Sequence, residues 1–159
     1  MPGADKPEPR PESVIRTLTT VGELAFVGWL AFLFRQVALV RRVGPSQFDG
    51  VWEQRLEVLS FIVLPPNIVV LVPAAAAAAT ATWLAGPTQE LGLAILLRLI
   101  RWSATVLAVI GVLSIVNTLL SDFDSPNRLE DIALRAGGIL IATAIIVLCR
   151  DAGRTAPGG

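Results

Sequence analysis

The chain has 159 residues, of which 53 % are hydrophobic and 16 % are charged, and its mean hydropathy is +0.66. A soluble domain of this size is less apolar, so the composition predicts an integral membrane protein. The 13 basic residues balance 13 acidic ones, so the chain has no excess of positive charge that would favour a nucleic-acid partner. The absence of histidine excludes an imidazole metal ligand or general base within this chain, and the single cysteine, Cys149, excludes an internal disulfide. We expect no cofactor, no bound metal and no catalytic site.

The first 13 residues, MPGADKPEPRPES, are rich in proline and charge, which predicts a disordered tail and not a cleaved signal peptide. Residues 17–40 form the first predicted span, which is long enough to cross a hydrocarbon core of ~30 Å. Glu23 and Arg35 lie inside this span. The following segment, RRVGPSQFDGVWEQRLEV, contains turn signals and predicts a short amphipathic piece along the membrane surface.

The second predicted span, residues 59–84, contains Pro65, Pro66 and Pro73. Each proline lacks an amide hydrogen, so a carbonyl one turn earlier must find another partner within protein or a wet cavity. One interpretation is a discontinuous helix whose carbonyls coordinate an ion. The other is a kink at Pro65-Pro66, with Asn67 satisfying local backbone groups. We favour the kink, because no matching second broken segment is present.

The third apolar segment runs from Leu91 to Leu120 and is longer than a membrane requires. Arg98 and Arg101 interrupt its first third. We therefore expect its beginning to lie at the interface and the span itself to cover residues 98–120. The fourth predicted span covers residues 132–149.

Together these spans predict an all-α transmembrane domain of four helices over residues 14–150, followed by a flexible tail at 151–159. Four spans place both termini on one side of the membrane, but the arginines divide almost evenly between the two sides. The termini are predicted to be cytoplasmic because an acidic cluster would then face outward. That cluster contains Asp122, Asp124, Glu130 and Asp131. The frequent Ala, Gly, Pro and Arg are typical of a high-GC bacterium, which predicts a multi-pass protein of the plasma (inner) membrane.

Small and aromatic residues give the packing predictions. Small side chains let membrane helices approach closely, either within a compact bundle or against another subunit, and both interpretations stay open. The candidate packing or partner-interface residues are Ala76, Ala104, Ala108, Gly111, Gly137, Gly138 and Ala142. A polar strip of Ser114, Asn117 and Thr118 predicts hydrogen bonds between helices. With no tyrosine present, the aromatic positions at the interface fall to Trp29, Trp52, Trp83, Trp102 and the phenylalanines.

Three charged residues are candidates for ion pairing or headgroup binding. The functional interpretation of Glu23 is a proton or cation site. The structural interpretations are an interfacial carboxylate or a partner for one of the arginines inside the bundle, and we favour these. Arg98 and Arg101 are three residues apart and share a helix face. They are predicted to extend to phosphates or to bind an anionic membrane lipid.

The segment GELAFVGWL around Glu23, together with the number of spans, resembles the small multidrug resistance exporters. In that family a glutamate of the first helix couples drug binding to proton binding, so the resemblance implies a transport role for Glu23. The longer chain, the extended termini and the long first loop depart from the family pattern, and we do not assign the chain to it.

We predict a non-catalytic accessory or scaffold subunit of a larger membrane protein complex, which packs through small-residue faces and contacts anionic lipid. The alternative is a small transporter or channel subunit with an ion or proton site at Glu23 and the broken second helix. A third hypothesis is a membrane enzyme in which Asp122, Asp124 and either Glu130 or Asp131 converge on a metal.

Overall fold

The computed structural model describes residues 11–43, 59, 61–86, 90–120 and 127–154. Five helices carry most of these residues, and no strand occurs among them. In chain order they are α1 (Pro11–Val43), α2 (Pro65–Val69), α3 (Val72–Ala85), α4 (Leu91–Leu120) and α5 (Arg128–Arg154).

Four helical stretches are long and apolar enough to cross a membrane: Glu12–Leu39, Pro65–Ala85, Leu91–Leu120 and Arg128–Arg154. The predicted all-α bundle of four membrane helices, with a bend in the second, is confirmed, and this architecture indicates a multi-pass membrane protein. Three helices begin earlier than the predicted spans: α1 starts within the predicted tail, α4 runs without interruption from Leu91, and α5 starts at Arg128.

Several sequence predictions lie outside the described residues. They concern the tail at 1–10, the amphipathic segment at 44–58, the acidic loop at 121–126 and the tail at 155–159.

The alanine-rich helix α3 is the centre of the bundle. Over an 18-residue apolar window of each span, 56 % of the residues are buried in the second span, against 17 % to 22 % in the other three. Ala74, Ala75 and Ala78 are fully buried, and α1, α4 and α5 all pack against this helix. Lipid offers no hydrophobic drive for helices to associate, so close backbone approach between small side chains must supply the attraction. The polyalanine run provides that approach on three sides.

Gly22 brings α1 onto this centre. A Cβ added there would lie 3.2 Å from Leu96 Cδ2, 3.5 Å from the Ala78 amide nitrogen and 3.6 Å from the Ala74 carbonyl oxygen. A larger side chain would therefore push α1 away from the α3 backbone. Gly22 was not among the small residues singled out from the sequence.

The outward surface of the bundle is apolar along its length. Leu24, Phe34, Leu91 and Leu140 are each at least two-thirds exposed. In water such a surface would aggregate. Its natural surroundings are lipid chains or another membrane protein.

Candidate functional site at the break in the second span

The second span is interrupted twice. The regular helix is interrupted at residues 63–64 and again at residues 70–71. The first interruption directly precedes α2 and the second directly precedes α3, and each of these helices has proline in its first turn. Proline is tolerated in a first turn because its missing N–H has no intrahelical partner there. The membrane-crossing stretch begins at Pro65, so the interruption at 63–64 lies at its edge and the bend within it lies at 70–71, ahead of Pro73, whereas the sequence placed the bend at Pro65-Pro66.

Asn67 closes the first interruption from within. In a regular helix the amide of residue 65 would donate to the Phe61 carbonyl, but Pro65 has no amide hydrogen. The Asn67 Nδ2 donates to that carbonyl instead, at 2.8 Å, and the Leu64 amide donates to it at 3.3 Å. Asn67 is buried. This is the local role that the kink interpretation gives to Asn67.

Trp29 of α1 closes the second interruption. The Leu71 amide donates to the Ile68 carbonyl at 2.9 Å, which leaves the Asn67 carbonyl without its usual partner one turn later. The Trp29 Nε1 donates to the Asn67 carbonyl at 3.0 Å. Trp29 is only 3 % exposed, and its ring stacks on Phe26 with 5.7 Å between the ring centroids.

The sequence did not identify this role, since Trp29 was assigned to the interface by its residue type. The sequence does contain a signal for the inward position of Trp29, because Gly22, Phe26 and Trp29 follow the spacing of one helix face. Hydropathy alone does not show which tryptophan faces a neighbouring helix.

Two glycines of α5 make room for the break. A Cβ added at Gly138 would overlap the Val63 carbonyl oxygen and lie 3.1 Å from Ile68 Cδ1, and one added at Gly137 would lie 3.5 Å from Pro65 Cγ. Because the obstacle at Gly138 is a backbone atom, no side-chain rearrangement can relieve it. The break is therefore enclosed by α1 on one side and by α5 on the other.

Most of the other predicted small-residue positions lie inside the bundle. Ala104 and Ala142 are fully buried, Gly111 is buried, and Ala108 is partly buried. At Gly111 an added Cβ would lie 2.6 Å from Ile139 Cγ1. Of the predicted set, Ala76 alone is exposed. These positions hold the bundle together, and Ala76 is the one member open to a partner.

A substitution at Ala76 separates the two roles. We expect Ala76→Leu to change the stability of the isolated bundle by less than about 0.5 kcal/mol, because exposed positions without special contacts tolerate substitution. Thermal unfolding of the purified variant in lipid nanodiscs provides the measurement. A large loss of stability would show that the outward position of Ala76 is wrong.

The predicted charged residues do not converge on the break. Glu23, Arg98 and Arg101 are all exposed, and within the described parts of the chain no ion pair joins Glu23 to either arginine. Glu23 precedes Trp29 by six residues, which places it about 9 Å away along α1 and about 120° around the axis. The two parts of the transporter site are therefore separated in the structure.

Arg135 of α5 forms a polar link to α4. Its guanidinium donates to the Ser114 carbonyl at 3.0 Å and also to the Thr118 hydroxyl. The Thr118 hydroxyl in turn donates to the Ser114 carbonyl at 2.9 Å. The predicted use of this polar strip as a link between helices is seen for Thr118.

Two freed carbonyls at the break, those of Phe61 and Asn67, thus accept side-chain donors from the protein itself. Throughout the part of the chain that the structure describes, no buried side-chain nitrogen or oxygen lacks a hydrogen-bond partner. Chemically, the arrangement can hold a fixed bend in the membrane. The metal hypothesis depends on Asp122 and Asp124, which lie outside the described residues.

No protein-family model matches the sequence, and no curated protein or solved structure matches it.

Proposed function

We propose that this chain is a non-catalytic accessory subunit that packs in the membrane against a larger protein complex through the outward face of α1. This face carries Leu24, Gly28, Ala31 and Arg35, all exposed, at the 4-3-4 spacing of a helix-pairing seam. A Cβ added at Gly28 would meet nothing within 4 Å. A partner helix could therefore approach the α1 backbone closely there.

Arg35 is the observation that carries the proposal. It lies six residues beyond Trp29, beside Phe34, which is 75 % exposed. Among the described residues its side chain makes no hydrogen bond or ion pair. An arginine at the centre of a membrane helix costs about 2.5–3.5 kcal/mol on insertion scales. Arg35 lies near the end of the span Glu12–Leu39, where the cost is smaller because the side chain can extend toward the headgroups, but an intramembrane arginine still normally finds a partner. Arg135 has its partners within the bundle, whereas Arg35 points away from it.

The partner chemistry that fits this face is a transmembrane helix with a small-residue stripe and an aspartate or glutamate opposite Arg35. What supports packing over transport is that two freed carbonyls at the break, those of Phe61 and Asn67, are paired with the side chains of Asn67 and Trp29. A bacterial plasma (inner) membrane with cytoplasmic termini, as expected from the sequence, completes the proposal.

The test compares two arginine variants of the tagged full chain. Purified in mild detergent from its native membrane, the wild type is expected to retain a larger complex in stoichiometric amount, quantified by mass spectrometry. Arg35→Leu is expected to reduce that recovery at least about ten-fold, because an unpaired carboxylate would remain in the partner. Arg16→Leu, which replaces another exposed arginine of the same helix, is expected to retain the complex.

Two results would contradict the proposal. Wild-type protein recovered alone would remove its basis, as would equal recovery of both variants. A proton-coupled flux in liposomes that Glu23→Gln abolishes would support the transporter instead.

A further inference from the structure

An apolar groove runs along the outside of the bundle between α4 and α5. Its volume is about 380 Å³, and it is lined by Ala108, Val109, Val112, Leu113, Ile139 and Thr143. It opens outward, away from the core of the bundle. Its chemistry suits a hydrocarbon chain more than a polar ligand.

Arginines stand at one end of this groove on both helices. Arg101 lies seven residues before Ala108 in α4, and Arg150 lies seven residues after Thr143 in α5. Seven residues are close to two helical turns, so each arginine shares the face of its groove residue, about 10 Å along the axis. Both arginines are exposed.

The two arginines lie at the same level because α4 and α5 keep one antiparallel register. Gly111 meets Ile139 at the groove, and a Cβ added at Gly153 would lie 3.8 Å from Leu97 Cδ2 near the other end. Continuing this register places Arg101 beside the turn that contains Arg150. Arg101 also lies within electrostatic reach of Cys149, the residue before Arg150.

Arg98 and Arg154 extend the same cluster by about one further turn on each helix. The nearest acidic side chain on α5, Asp151, points about 100° around the axis from Arg150. The end of the groove is therefore basic.

The distance between the arginines and the groove matches the distance between the headgroup and the acyl chains of a lipid. From Arg101 to the groove residues the distance along α4 is about 10–18 Å, and half of a hydrocarbon core is about 15 Å. Trp102, beside Arg101, is 60 % exposed and so is suited to the membrane interface. With the arginines at headgroup level, the groove lies at the depth of the acyl chains.

We propose that the groove binds one anionic glycerophospholipid of the surrounding bilayer, with an acyl chain against α4 and α5 and the phosphate between Arg101 and Arg150. This inference does not depend on the accessory role, because it uses a different face of the bundle. It extends the predicted headgroup contacts of Arg98 and Arg101 to a defined binding groove with a second helix.

The first test uses native mass spectrometry of the full chain with equimolar phosphatidylglycerol and phosphatidylcholine of identical acyl chains. The wild type is expected to retain phosphatidylglycerol preferentially. Removing both groove arginines, as Arg101→Gln with Arg150→Gln, is expected to weaken that retention about five-fold for each arginine. The control, Lys6→Gln with Arg16→Gln, makes the same charge change in the N-terminal part of the chain and is expected to keep the preference.

A second test addresses the groove itself. Thr143→Trp fills it and is expected to lower phosphatidylglycerol retention, whereas Val27→Trp, on the exposed face of α1, leaves retention unchanged. No lipid preference in the wild type, or an unchanged preference after loss of both groove arginines, would overturn the proposal. A photo-crosslinker at Val112 that captures a protein in native membranes, in place of lipid, would overturn it as well.

Discussion

Gly138→Ala is expected to destabilise the bundle by about 2–3 kcal/mol, at the upper end of the usual range for overpacking. The added methyl group would overlap the carbonyl oxygen of Val63, where the second span first leaves regular helix. Moving that carbonyl would also displace the turn held by Asn67, whose side chain bonds to Phe61. Relief therefore requires α5 to move away from the break.

Gly28→Ala is the matched control, since Gly28 is also a helical glycine within a span but has open space around it. There the same methyl group should be neutral or stabilise by about 0.5–1 kcal/mol through helix propensity. Thermal unfolding of both variants in lipid nanodiscs gives the comparison. Equal melting temperatures would show that α5 does not approach the break closely at Gly138.

Trp29→Phe is expected to destabilise the bundle by about 1–3 kcal/mol, because it leaves the Asn67 carbonyl without a donor in a place that water does not reach. Phenylalanine keeps an aromatic ring against Phe26 and removes the indole N–H. Most of the effect should therefore come from the lost hydrogen bond.

Trp102→Phe is the corresponding control at an exposed position. It should change stability by less than about 0.5 kcal/mol. If both tryptophan variants unfold at the wild-type temperature, the bond from Trp29 to the break does not contribute to stability.

Hydropathy predicted the four helices because each span is a long apolar run, and the prolines predicted a bend in the second. The position of the bend was harder to predict. A proline constrains the residues before it, but at each interruption a freed carbonyl also needs a donor, and at the second interruption that donor comes from another helix. The decisive donor, Trp29, is 38 residues away in sequence from Asn67, and no local pattern encodes that pairing.

For the small residues and the arginines, too, the sequence does not show which side of the helix faces the bundle. Small residues predicted close packing, yet the sequence did not show that Ala142 faces inward and Ala76 outward, since both occur in apolar helices. Arg35 and Arg135 are equivalent by residue type and by their apolar surroundings in sequence. Only the helix arrangement shows that Arg135 reaches Ser114 while Arg35 lies on the outside.

Hydrogen exchange of the Trp29 indole proton, followed by NMR of the full chain in nanodiscs, tests most directly whether water is excluded from the break in the second span. A proton donated to the Asn67 carbonyl between packed helices is expected to exchange slowly and to show no magnetisation transfer from water. Rapid exchange at Trp29 would mean that water reaches the break. That result would contradict a purely structural role for the bend and favour an ion or proton pathway through it.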